Sequence, residues 1–110
     1  MIETILLNYL DAALEVPVVM EEPESPPEAY VVLQKTGSTL RDQLRSATFA
    51  IQSYGATLYD AASLNADVVQ LVLAMNAADG VFGAELNSDY EYTNTTTKQY
   101  RYQAVLQIYY

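Results

Sequence analysis

The sequence predicts an α+β fold in which two helices pack on one face of a mostly antiparallel five-stranded sheet. Two segments repeat apolar residues every three or four positions, as amphipathic helices do, and the other segments alternate apolar and polar residues, as half-buried strands do. Along the chain these patterns give the order α-β-β-β-α-β-β. At 110 residues the chain has the length of a single α+β domain, residues 1–110, with a small core of its own.

The first predicted helix and the strand after it lie before residue 21. Pro17 ends this helix, and Val16 to Met20 then predicts a short strand, for which an edge position suits the missing proline amide. The apolar face of the helix is formed by Ile2, Ile5, Leu6, Tyr9, Leu10, Ala13 and Leu14.

Residues 21–28, EEPESPPE, hold four acids and three prolines, a composition that favours an extended, solvated loop. Two interpretations of this acidic segment remain open. It connects neighbouring strands, or it presents an acidic surface to a basic partner or to passing DNA.

Two more strands are predicted before the second helix. Tyr30 to Thr36 reads as a central strand that Gly37 and Ser38 should close, and Ser38 to Leu44 has no period, which predicts a mobile loop. Alternation resumes from Arg45 to Tyr54. It places Ala47, Phe49, Ile51 and Ser53 on one side and Thr48, Ala50, Gln52 and Tyr54 on the other.

The second helix is predicted from Leu58 to Ala78. Thr57 to Asp60 matches a capping box, and Asp79-Gly80 supplies a left-handed stop. Its buried stripe is expected to contain Leu58, Ala61, Ala62, Asn65, Val68, Leu71, Val72 and Met75.

The last 28 residues, Gly83 to Tyr110, read as a hairpin of two long strands. Pairing Tyr92 with Tyr100 needs an odd-numbered loop, Thr95–Thr97 or Asn94–Lys98, and without a glycine the longer loop is the easier choice. The same register would pair Tyr90 with Tyr102, Leu86 with Leu106, Ala84 with Ile108 and Glu91 with Arg101.

The two faces of the last strand differ in polarity. Tyr100, Tyr102, Ala104, Leu106 and Ile108 form the core side, and Arg101, Gln103, Val105, Gln107 and Tyr109 form the other. The second face is too apolar for a solvated sheet and too polar for a core, which suits contact with copies of the same chain. Six of the ten tyrosines follow residue 89, and both cross-strand packing and a protein interface would use them.

Residue content excludes most catalytic chemistry. The chain has no cysteine and no histidine, so it lacks thiolate nucleophiles, the usual general base and the commonest metal ligands, and its four scattered glycines form no phosphate loop. Glu85, Asp89 and Glu91 on one side of a strand are a candidate calcium site or acid pair, but Arg101 is expected to neutralise Glu91. We therefore expect no enzyme activity, no cofactor and no metal.

Charge and hydropathy limit the kinds of partner that the chain can have. The net charge of -9 should repel free nucleic acid. The N-terminus lacks a basic leader, and the longest apolar-rich run, Val68 to Met75, is too short for a bilayer, so a soluble protein made inside a cell, with no membrane partner, is expected.

Three stretches resemble a known family: PPEAYVVLQKTG, SATFAIQSYGATLYDAASLNADV and LNSDYEYTNTTTKQYRYQAVLQIYY. They are similar to the tail terminator or tail completion proteins of long-tailed phages and prophages of Gram-positive bacteria. The resemblance covers about residues 16 to 110, and its most specific part is IQSY before a helix combined with the late YRYQAV strand.

The resemblance implies a virion structural protein that forms a ring, commonly a hexamer, at the head-proximal end of the tail tube. Its partners would be its own copies, the major tail tube protein and the head connector or stopper protein, with DNA only passing through the channel. The protein would be made in the bacterial host cytoplasm. Candidate contact regions are Gln34–Arg45 and Asn94–Arg101, with candidate contact residues Lys35, Arg41, Arg45, Tyr54, Lys98, Arg101 and Tyr109.

A channel for DNA would be served by negative charge, which keeps phosphate from adhering. The candidate acids for such a surface are Glu21, Glu22, Glu24, Glu28, Glu85, Asp89 and Glu91. Two other functions remain open. One is a head-completion or stopper subunit of the same connector, and the other is an acidic DNA mimic, although the acids here are interspersed with apolar strands.

Overall fold

The computed structural model describes residues 1–110 and has two layers, with two helices on one face of a five-stranded sheet. The helices are α1 (Ile2–Ala13) and α2 (Leu58–Leu73), and the strands are β1 (Val18–Val19), β2 (Tyr30–Arg41), β3 (Leu44–Gly55), β4 (Gly83–Glu91) and β5 (Tyr100–Tyr109). The sheet order is β1-β2-β3-β5-β4, and only the β1–β2 pair is parallel. The predicted fold class and element order are confirmed.

The core lies between the helices and the sheet. Leu6 and Leu10 of α1 and Val68 and Val72 of α2 are buried against the sheet, as apolar residues at helical spacing dictate. The predicted core side of β3, Ala47, Phe49, Ile51 and Ser53, is fully buried. The longer helix, α2, still falls short of what a bilayer crossing requires in length and apolar content.

β1 lies at an edge of the sheet, as predicted. Val18 and Val19 pair with Val31 and Val32, and the acidic segment connects these two neighbouring strands. The connector interpretation of residues 21–28 is therefore confirmed.

The β2–β3 hairpin differs from the prediction of a mobile loop. β2 does not end at Gly37, because Thr36 forms a bulge between Lys35 and Gly37, Gly37 pairs with Thr48, and pairing continues to Arg41 opposite Leu44. The connecting residues, Asp42 and Gln43, both have left-handed backbones, with φ of 52° and 66°, which is the geometry of a two-residue hairpin turn.

Helix α2 begins as predicted and ends earlier. Thr57 caps it by accepting a hydrogen bond from the Asp60 amide at 3.1 Å. It ends at Leu73 instead of Ala78, because Asn76 takes an extended conformation and caps a separate 3₁₀ turn, Ala77–Asp79. The left-handed Gly80 ends that turn.

The predicted buried stripe of α2 is confirmed in its centre, at Ala61, Asn65, Val68 and Val72. At its start the prediction is wrong, since Leu58 is 38% exposed. Met75 lies beyond the end of the helix and is nevertheless buried in the core.

The β4–β5 hairpin keeps half of the predicted register. Ala84–Ile108 and Leu86–Leu106 pair as predicted, but a bulge between Leu86 and Ser88 then shifts the pairing by one residue. Tyr90 lies opposite Gln103 and Glu91 opposite Tyr102, while the Tyr92 amide donates to the Arg101 carbonyl at 2.8 Å. The predicted pairs Tyr92–Tyr100, Tyr90–Tyr102 and Glu91–Arg101 are wrong.

The loop of this hairpin has four residues, Thr95 to Lys98, so the predicted odd length is also wrong. Asn94 and Gln99 exchange both backbone hydrogen bonds, and the Asn94 side chain accepts from the Thr96 amide at 3.1 Å. Lys98 supplies the left-handed residue, with φ of 54°, in place of a glycine. The extra residue in the β4 bulge is what makes an even-numbered loop fit.

The β4 bulge also changes which face the following side chains occupy. Because side chains alternate along a strand, one extra residue moves Tyr90 and Tyr92 from the predicted helix side to the face of the sheet away from the helices, called the outer face here. Asp89 moves the other way, to the helix side.

Candidate protein-interaction site

The distal part of the β2–β3 hairpin projects from the rest of the molecule. Every residue from Gln34 to Arg45, called the arm here, is exposed. The molecule is correspondingly elongated, with extents of 44 × 24 × 24 Å. Neither face of the arm beyond Lys35 is covered by a second layer.

The tip of the arm combines apolar and basic side chains. Leu40 is 67% exposed and Leu44 is 45% exposed. Leu40 lies opposite Arg45, and Leu44 opposite Arg41. Since cross-strand partners share a face, each face of the tip presents one leucine and one arginine.

The two arginines of the tip have no carboxylate partner. The only ion pair in the structure joins Lys35 Nζ to Glu3 Oε2 at 3.0 Å. A backbone hydrogen bond and then the Lys35 ammonium lower the pKa of Glu3. Lys35, a predicted contact residue, therefore fastens the base of the arm to α1, and Arg41 and Arg45 are the free cations of the arm.

A row of aromatic and basic side chains crosses the outer face at the other end of the sheet. Tyr30 and Tyr54 lie opposite each other, and their rings stack in parallel with centroids 4.3 Å apart. Arg101 lies opposite Tyr54 and donates to its hydroxyl at 3.1 Å. The guanidinium also donates to the Tyr92 carbonyl at 2.6 Å and lies 4.4 Å from the Tyr92 ring centroid.

This row corrects two expectations. Arg101 does not neutralise Glu91, because the β4 bulge leaves Glu91 on the opposite face of the sheet. Tyr54 is 2% exposed, so it packs inside the row and offers no contact surface. Sequence reasoning missed the row because it predicted a loop at Ser38–Leu44, and only a continuous hairpin aligns Tyr30 with Tyr54.

Tyr30 also ties the acidic segment to the sheet. Its hydroxyl donates to Glu22 Oε1 at 2.6 Å and accepts from Gln99 Nε2 at 3.1 Å. Burial and then the Glu22 carboxylate raise the pKa of Tyr30 well above its usual range. Of the acidic segment, Glu22 is thus held in place, while Glu21, Glu24 and Glu28 have no hydrogen-bond partner.

The rest of the outer face is ordered by side-chain hydrogen bonds. Gln52 donates to Gln103 at 2.8 Å, and Gln107 donates to Ser46 at 3.2 Å. Tyr109 donates to Glu85 at 2.9 Å, and this carboxylate raises the pKa of Tyr109. The polar groups are therefore paired with one another, and the face has the intermediate polarity that the sequence predicted.

The predicted row of strand acids is split by the bulge. Glu85 lies on the outer face, whereas Asp89 lies on the helix side and accepts from Asn65 Nδ2 of α2 at 2.9 Å. No group of three or more side chains of the metal-binding types lies together in the structure. The prediction that Glu85, Asp89 and Glu91 share one side of the strand is wrong, because Glu85 lies on the face opposite to Asp89 and Glu91.

A hollow lies at the β1 edge beside the acidic segment. It is an open concavity of about 590 Å³, lined by Leu7, Val19, Met20, Glu21, Glu22, Pro23 and Glu24. The apolar side chains come from α1, from β1 and from Met20 directly after β1, and the carboxylates come from the acidic segment. We call this site the hollow; sequence reasoning placed its acids but not its apolar floor, which only the fold assembles.

The remaining predicted contact residues fall at two ends of the sheet. Arg41 and Tyr109 line a concavity of about 510 Å³ between the tip of the arm and the end of β5. Lys98 and Arg101 lie at the opposite end, in and beside the β4–β5 turn. The chain therefore offers separate surfaces at its two ends instead of one convergent site.

Neither the protein-family models nor the curated proteins include a match to the chain.

Proposed function

We propose that this chain is a phage virion structural protein, a tail terminator that caps the head-proximal end of the tail tube as a ring. In this role it stops tube growth and forms the surface that joins the head connector. The resemblance of residues 16 to 110 motivates the proposal. The observation that carries it is the arm, a hairpin with an apolar and basic tip that nothing in its own chain covers.

An uncovered arm of this kind is suited to binding a neighbouring protein. Burying an exposed leucine is worth about 1.5–3 kcal/mol, so Leu40 and Leu44 together give a neighbouring protein a substantial reason to bind. The tip occupies one end of the chain, and contacts between different surfaces of identical subunits close into rings when the rotation permits. Both features suit a ring of copies better than a free monomer.

The charge of the chain suits a DNA passage. A net charge of -9, repeated around a ring, would keep DNA phosphates from adhering to the channel wall. The candidate lining is still the acidic segment or the β4 acids, with Glu85 and Asp89 on different faces. A ring structure with every one of these carboxylates on the outer rim would contradict this part of the proposal.

The test is a tube-assembly experiment. Tail tube protein from the same virus or prophage is polymerised alone and with increasing amounts of this chain, and tube lengths are measured by electron microscopy. We expect shorter tubes, each carrying a ring at one end only. Tubes of unchanged length with no ring at either end would overturn the proposal.

Matched variants sharpen the experiment. Leu40→Ser with Leu44→Ser removes the apolar tip and should abolish capping without unfolding the chain, because both side chains are exposed. Tyr59→Ser removes another large exposed side chain, 80% exposed on α2, and should leave capping unchanged. Loss of capping in both variants would show that the arm has no special part.

A stopper subunit of the same connector is the second candidate, since it too would need an arm and an ordered face. A pull-down separates the two functions: a terminator retains the tail tube protein, and a stopper retains the portal or adaptor. A DNA mimic is less favoured, because the β4 bulge divides its acids between two faces and so removes a continuous row of like charge.

A further inference from the structure

We propose that the arm of one copy docks into the hollow at the β1 edge of the next copy. Leu40 and Leu44 would cover the apolar floor, and Arg41 and Arg45 would pair with Glu21 and Glu24. The inference deepens the proposed function and rests on it in one respect, that the chain acts as an assembly of copies.

Chemical complementarity is the first argument. Three of the five basic residues of the chain lie on the arm, with one acid, Asp42, among them. The hollow has the reverse composition, because its lining combines the apolar Leu7, Val19 and Met20 with three carboxylates of the acidic segment. The apolar and basic tip therefore complements the apolar and acidic hollow, so that opposite charges would surround a buried apolar contact.

Unused bonding capacity is the second argument. Arg41 and Arg45 have no ion pair within their own chain, and their side chains make no hydrogen bond there. Glu21 and Glu24 are exposed and likewise without partners. Glu22 is held by Tyr30 and Gln99, which fixes the acidic segment in place and so presents its two neighbours as a preformed rim.

Distance excludes the arm of the same chain as occupant. Val19, in the floor of the hollow, pairs with Val32 at the beginning of β2, and Arg41 is at the far end of that strand. At about 3.3 Å per residue, the strand from Val32 to Arg41 spans about 30 Å. The arm points away from its own hollow, so only another molecule can fill it.

A groove between the helices is an alternative binding site for the arm. It encloses about 310 Å³ and is lined by Ala13, Leu14, Asp67, Gln70 and Leu71. With one carboxylate it can neutralise at most one arginine, whereas the hollow has two free ones. The hollow is therefore the better match, and the groove provides the control.

The contact divides the candidate acids between two roles. Glu21 and Glu24 would lie between subunits, so they leave the channel lining to other carboxylates such as Glu85. The arm and the hollow lie at opposite ends of one chain, so the contact is head-to-tail, and successive copies form a ring or a filament.

Charge reversal tests the contact. One variant carries Arg41→Glu and Arg45→Glu, the other Glu21→Arg and Glu24→Arg, and association is followed by light scattering, alone and on tail tubes. Each variant alone should associate about a hundredfold more weakly, because like charges then meet. Mixing the two should restore assembly, since every arm finds an oppositely charged hollow.

Crosslinking gives a second measurement that does not depend on affinity. The chain has no cysteine, so Leu40→Cys with Met20→Cys introduces its only thiols. Oxidation should produce a ladder of disulfide-linked oligomers. Leu40→Cys with Ala13→Cys, which targets the groove between the helices, should not.

The outcomes separate this contact from the proposed function. Assembly that is indifferent to both charge reversals, or an equal ladder from the two cysteine pairs, overturns the contact and leaves the terminator proposal standing. Restored pairing on mixing, with tubes that still grow uncapped, supports the contact and overturns the terminator role. A wild-type chain that stays monomeric both alone at high concentration and beside tail tubes overturns both.

Discussion

The close approach of β3 to α2 makes Gly55→Ala a severe test of the fold. A Cβ added at Gly55 would lie 2.5 Å from the Ala61 backbone nitrogen and 2.9 Å from the Asp60 carbonyl carbon. Ordinary contacts begin near 3.5 Å, so the first turn of α2 would have to move by about 1 Å. The Ala61 amide also donates to Thr57 at 3.0 Å, and that bond closes the first helical turn.

The expected loss is at the upper end of the overpacking range, about 3 kcal/mol of the free energy of unfolding, because the obstructing atoms are backbone and cannot rotate away. Urea unfolding followed by far-UV circular dichroism and tyrosine fluorescence measures it, since the chain has no tryptophan. Gly37→Ala is the matched control, because nothing lies within 4 Å of its added Cβ and the backbone there is not left-handed.

The free energy of unfolding of Gly37→Ala should not decrease, and it can increase by about 0.4–1 kcal/mol because alanine restricts the unfolded chain. If Gly55→Ala proves no less stable than Gly37→Ala, the packing of α2 on the end of β3 is not as described.

Three further predictions concern the ionic and aromatic contacts. Because the pKa of Tyr30 is raised, this tyrosine contributes fully to the free energy of unfolding below the usual tyrosine pKa of about 10. The contribution is lost as the pH rises from there toward the raised pKa, so the urea midpoint of unfolding should fall above about pH 10. Tyr30→Phe should make that fall less steep. Because the pKa of Glu3 is lowered from 4.5, its contribution is complete above that value and is lost as the pH falls through the lowered pKa, and Glu3→Gln should remove this part of the acid dependence. Arg101→Met should cost about 1–3 kcal/mol through its lost charged hydrogen bonds, against under about 0.5 for the unpaired Arg45→Met, and equal costs would contradict the row of stacked side chains.

Period and capping signals allowed much of the fold to be predicted from the sequence. The alternation of Ala47, Phe49, Ile51 and Ser53 fixed the core side of β3, and Thr57 fixed the start of α2. These signals are local, and the structure follows them because burial agrees with them.

The predictions fail where a local sequence signal is compatible with two structures. Gly37 looks like a strand end, but a bulge lets the pairing pass it, and Asp42-Gln43 turns without glycine. At the β4 bulge either phase of Tyr90 and Asp89 is acceptable, because tyrosine tolerates both faces of a sheet and the carboxylate finds Asn65. The hollow could not be predicted, since its floor combines α1 with β1 and only packing brings them together.

The bulge in β4 joins the two sides of the sheet mechanically. Asp89 is tethered to Asn65 of α2, and its neighbour Tyr90 is tethered on the outer face to Gln103 and through it to Gln52. The peptide unit between Asp89 and Tyr90 therefore links α2 on one side of the sheet to the hydrogen bonds on the other side. A protein that binds the outer face beside Tyr90 would therefore contact a residue whose neighbour is anchored to α2.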